Sequence, residues 1–116
     1  MLLPLMMWAA VEAVPTPTVV TNPSWKSRPT GRDVLQVFPQ RAKAERVNGA
    51  ALIECKVVDD GTLTACVVLA QKPVTHGFGE AALKLAPKFQ LEPRTADGAP
   101  VGGGTVRIPL SFIGPW

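Results

Sequence analysis

The sequence predicts an α+β domain in which two short helices pack on a three-stranded antiparallel sheet, in the order helix, strand, strand, helix, strand. Three observations carry this expectation. Gly49 to Ala70 holds two runs of apolar and β-branched residues on either side of Asp59-Asp60-Gly61, and Asp-Gly between such runs signals a β-hairpin. Phe78, Ala82, Leu85 and Phe89 recur at helical intervals and draw one apolar stripe. Val106, Ile108, Leu110 and Phe112 alternate with Arg107, Pro109 and Ser111, the period of a strand with one buried face.

Composition bounds the rest. A chain of 116 residues that is 47% hydrophobic and 18% charged is one small globular domain. The prolines and glycines cluster between Pro15 and Pro39 and between Gly98 and Gly104, which marks linkers. A net charge of +3 with no basic run and no interleaving of aromatic and basic residues argues against nucleic-acid binding.

In chain order, Met1 to Ala13 is an apolar block ending in small residues, like the hydrophobic region and cleavage site of an export signal. It is too short, and too interrupted by Pro4, for a span of about 20 apolar residues. Residues 14–32 form a Pro-rich extended arm, in which Trp25 is expected to dock on the domain of residues 33–116, because an aromatic ring buries much area at little entropic cost. Asp33 is placed to cap a helical pattern, Pro39 suits a first helical position, and a short helix is expected from about Pro39 to Arg46. Asn48-Gly49 supplies a left-handed stop.

In the first hairpin strand Ala51, Ile53, Cys55 and Val57 form the core face, and Leu52, Glu54 and Lys56 the other. The stripe of the second helix should cover that core face, with Pro87 forcing the helix to kink or tighten. Ala96-Asp97-Gly98 turns the chain into a third strand, Thr105 to Phe112. Pro109 makes it an edge, since proline is confined to edges, strand starts and bulges.

The residues that carry chemistry elsewhere have plainer roles here. His76, the only histidine, lies in a loop expected to be solvated. Asp59 and Asp60 are explained by turn formation. Gly102-Gly103-Gly104 lacks the strand-before, helix-after setting of a phosphate cradle and reads as a flexible lead into the last strand. Cys55 and Cys66 match neither a redox Cys-x-x-Cys nor a zinc set, so neither a metal nor another cofactor is implied. Nothing in the sequence argues for an enzyme.

The two cysteines and the turn are linked. A two-residue turn at Asp60-Gly61 sets Cys55 opposite Cys66, within disulfide reach. A three-residue loop with a bulged glycine sets Cys55 opposite Ala65 instead and turns Cys66 away, unless a second bulge restores it. A disulfide fits an exported chain, and two buried thiols a cytosolic one.

The ordered set of Phe38-Pro39 with Ala42, Gly49, Val57 through Asp60-Gly61 and Leu63, Phe78 with Ala81-Ala82, Phe89, Leu91 and Pro93, Gly98, Pro100-Val101 and Val106 to Phe112 resembles the C-terminal domain of TonB-type energy transducers. The resemblance implies a periplasmic protein-binding module that takes the TonB box of an outer-membrane TonB-dependent receptor as a strand beside the third strand, in support of energised transport. The implied docking edge is Thr105, Val106, Arg107, Ile108, Leu110 and Ser111. Transducers also carry a membrane anchor and a long spacer. The short arm here is instead expected to leave a free periplasmic module after cleavage, or one held at the inner membrane if Met1 to Ala13 is retained. The alternative function is an envelope structural domain that forms a homodimer through the same open edge.

Overall fold

A computed structural model describes residues 19–20, 23–95 and 97–116; the export-signal segment and the first part of the arm lie outside the described residues. Strand β1 (Trp25–Ser27) leads into helices α1 (Gly31–Val37) and α2 (Gln40–Glu45). Strands β2 (Gly49–Val57) and β3 (Leu63–Lys72) form the hairpin, followed by α3 (Phe78–Leu85), β4 (Gln90–Leu91) and β5 (Thr105–Phe112). The architecture is α+β, with a three-stranded antiparallel sheet in the order β3-β2-β5 and a two-stranded ribbon of β1 and β4.

Local chemistry explains each element. Thr30 caps α1 through a capping box, its hydroxyl accepting from the Asp33 amide while the Asp33 carboxylate accepts from the Thr30 amide. Asp33 thus sits at the third helical position rather than at the cap itself, and the helical pattern before Pro39 forms a helix of its own. Pro39 is the N-cap of α2. The left-handed stop is Arg46, at φ 56°, and not Asn48-Gly49. Gly49 opens β2, where an added Cβ would run into the Phe78 ring, so its smallness serves packing.

The apolar periods meet as one core. Ala51, Ile53, Cys55 and Val57 are buried on the inner face of β2, against Phe78, Ala82, Leu85 and Phe89 of the second helical stripe. Pro87 is accommodated by tightening: α3 passes into a 3₁₀ turn at Ala86–Lys88. Phe38, Phe78 and Phe112 cluster with centroids 5.4 to 6.1 Å apart, in tilted or edge-on packing.

The hairpin takes the three-residue loop. The Gly61 amide donates to Val58 C=O, the Val58 amide donates to Thr62 C=O, and Gly61 sits at φ 89°. That register sets Val57 opposite Leu63 and Lys56 opposite Thr64. A second bulge follows at Ala65, a non-glycine residue at φ 51°, after which Glu54 faces Val67. This second bulge returns Cys66 to the core side, where it forms the disulfide with Cys55. A further register shift lies between Leu52 and Ile53, whose partners are Ala70 and Val68. The triple glycine is no loose lead: the Gly103 amide donates to Val57 C=O, Gly104 C=O accepts from the Val57 amide, and an added Cβ on Gly102 would meet Asp59 of the hairpin turn.

Candidate functional site

With β2 in the middle, the sheet has two edges, and β5 is the regular one. Its eight residues pair with Gly49–Lys56 without a register shift, from Gly49 opposite Phe112 to Lys56 opposite Thr105. Thr105 C=O points away from β2, because it accepts from the Val20 amide at 2.6 Å. Backbone groups alternate direction along an antiparallel ladder, so those of Arg107, Pro109 and Ser111 also face outward. The missing donor of Pro109 therefore falls on the open side and costs the β2–β5 ladder nothing.

Side chains follow the same alternation. Val106 and Ile108 are buried in the core, Leu110 is half-buried, and Arg107 and Ser111 are exposed on the outer face. The Arg107 guanidinium donates to the Glu54 carboxylate directly across the sheet, 2.8 Å from its Nε. This cross-strand ion pair props the outer face beside the edge.

A groove of about 540 Å³ runs along β5. Arg107, Ile108, Pro109 and Leu110 form one wall, and Trp25, Val34 and Phe89 the apolar part of the other, with Arg28 at the rim. The opposite wall exists because the arm docks: Trp25 pairs with Leu91 in the β1–β4 ribbon and lies 5.0 Å from the Phe89 ring. Asp33 supports the same wall from the start of α1. Hydrogen bonds from the Thr30 backbone and hydroxyl, reinforced by Lys88, hold its carboxyl below the usual range.

His76 is placed differently from the solvated loop position expected of it. Its side chain is only 10% exposed, because the loop before α3 folds back onto α2. The imidazole Nε2 lies 2.9 Å from a Glu45 carboxylate oxygen, and Nδ1 lies 2.9 Å from the Thr75 hydroxyl. Arg41 completes the cluster, donating to both Glu45 and Thr75 C=O. The bond with His76 first, then that with Arg41, lowers the Glu45 pKa. The cluster clamps α2 to the loop that follows β3, well away from β5 in the sheet order. Glu45 and His76 are 31 residues apart, and no local spacing announced their meeting.

Among the described residues no group of His, Cys, Asp and Glu could hold a metal ion, and no helix is long and apolar enough to cross a membrane. A family profile described as the C-terminal region of the Gram-negative bacterial TonB protein matches residues 34–113. An uncharacterized protein of Caulobacter vibrioides is 35% identical over 60 residues, a stretch that covers 52% of this chain and 60% of that protein.

Proposed function

Because the chain belongs to the TonB C-terminal family, we propose that it is a periplasmic binding module that takes an extended TonB-box segment of an outer-membrane receptor as a fourth strand beside β5. The single observation that carries this reading is the form of the β5 edge: unbroken register to β2, outward-facing backbone groups at Arg107 and Ser111, and an apolar groove alongside. In strand addition the backbone supplies affinity and alternate side chains supply selectivity. Inward side chains of the added strand would enter the groove against Trp25, Val34 and Leu110, and outward ones would pass Arg107. The module holds its partner and does no covalent chemistry; its contribution to energised transport is mechanical.

Calorimetric titration with a synthetic TonB-box peptide, paired with sedimentation of the chain alone, tests the reading. The expected result is saturable one-to-one binding to a monomer. A chain that ignores the peptide and sediments as a dimer would contradict it and favour self-pairing through β5 instead.

A further inference from the structure

The first position on the β5 edge already has an occupant. Val19 forms a parallel bridge with Thr105, and the Val20 amide donates to Thr105 C=O at 2.6 Å. Val20 also packs against the core. A few residues on, the arm is fixed by Ser24 C=O, which accepts from the Glu92 amide at 2.7 Å, and by Trp25 on Phe89.

We infer that the arm is a tethered competitor for the β5 edge, a segment of this chain that sits where the start of an incoming strand must go. The inference rests on the β5 docking reading above. Three features support it. The contact is made by main-chain hydrogen bonding, the mode an added strand uses. Among the described residues it is confined to Thr105, so the outward groups of Arg107 and Ser111 are left for a partner to engage first. The short tether between Val20 and the Ser24–Trp25 anchor keeps the segment at an effective concentration on the order of millimolar, which favours docking of a weakly held strand. A partner covering the whole of β5 must therefore displace Val19 and Val20, and the Trp25 anchor keeps the displaced arm close enough to return.

A competitor docked about nine-tenths of the time weakens the apparent affinity of the edge roughly tenfold. Val20→Pro removes the donor to Thr105 while leaving the Trp25 anchor. The probe is a fluorescein-labelled peptide of residues 14–22, followed by anisotropy on the full chain. The Val20→Pro chain is expected to bind this peptide about tenfold more tightly than the unmodified chain, with the largest amide shift at Thr105. Val20→Gly, which keeps the donor but removes the packing, is expected to give a smaller gain in the same direction. Equal binding to all three chains, or binding to none, would overturn the competitor. A TonB-box peptide that still binds β5 in that case leaves the proposed function standing, whereas a chain that binds neither peptide sinks both.

Discussion

The two edges of the sheet come from the same hairpin-and-strand scaffold and end up with opposite properties. β3 is the longer, yet its register to β2 shifts twice, at the Ala65 bulge beside the disulfide and again near Leu69. Val67 and Leu69 on it are 51% and 45% exposed. β5 keeps one register from end to end, buries Val106 and Ile108, and carries its protection as Pro109 and the arm. Bulges twist an edge and interrupt the row of donors and acceptors that another strand would need. The comparison teaches that exposed apolar side chains do not by themselves mark a strand-docking edge. In the docking reading proposed above, what marks the edge is an unshifted register with backbone groups facing outward, and of the two edges among the described residues β5 has it.

Breaking the shared strand has the largest expected effect. Ile53 is fully buried between Val68 on one side and Ile108 on the other, so Ile53→Ala should cost about 2 to 5 kcal/mol in chemical denaturation and loosen both edges together. Next comes a change at the covalent link between β2 and β3. Replacing Cys55 and Cys66 together by Ala opens the short disulfide loop and should cost about 2 to 3 kcal/mol, with peptide binding at β5 retained in the folded protein.

A change confined to the β5 side reverses that pattern. Ser111 faces Ala50 with its backbone directed outward, so Ser111→Pro should weaken TonB-box peptide binding by about 1 kcal/mol in calorimetry while the denaturation midpoint hardly moves. Loss of stability without loss of binding would place the docking bonds elsewhere.

The smallest effect is in acid. The carboxyls of Asp33, beside the β5 groove, and Glu45, in the clamp next to β3, both have lowered pKa values. A depressed carboxylate contributes stability that is complete above its unfolded value and is lost as pH falls through its folded value. Thermal melts taken from neutral pH downward should therefore show a mild loss below the usual carboxylate range, smaller in Glu45→Gln. Stability that rises on acidification would reverse the assignment.

Much of this contrast is legible in the sequence. Periods of two and near four placed the core face of β2, the α3 stripe and the span of β5, because burial of one face imposes the period directly. Pro109 identified the edge, since a missing donor is tolerated only where nothing pairs. The hairpin turn was legible only as a choice between two loops, and the bulge that decided the fate of Cys66 fell on Ala65, a residue with no turn signature. Helix α1 was not legible as a helix of its own, because Pro39 separates two short helices within a single helical pattern. The Thr105 contact with Val19 and Val20, the β1–β4 ribbon and the Glu45–His76 clamp join residues far apart in the chain, and no local pattern encodes such meetings.

The most direct test of the account maps a bound strand onto the sheet. In a titration of isotopically labelled chain with a TonB-box peptide, the amides of Arg107 and Ser111 should shift and gain protection from hydrogen exchange, while those of Val67 and Leu69 stay as they were. Protection that appears along β3 and leaves β5 unchanged would contradict the account.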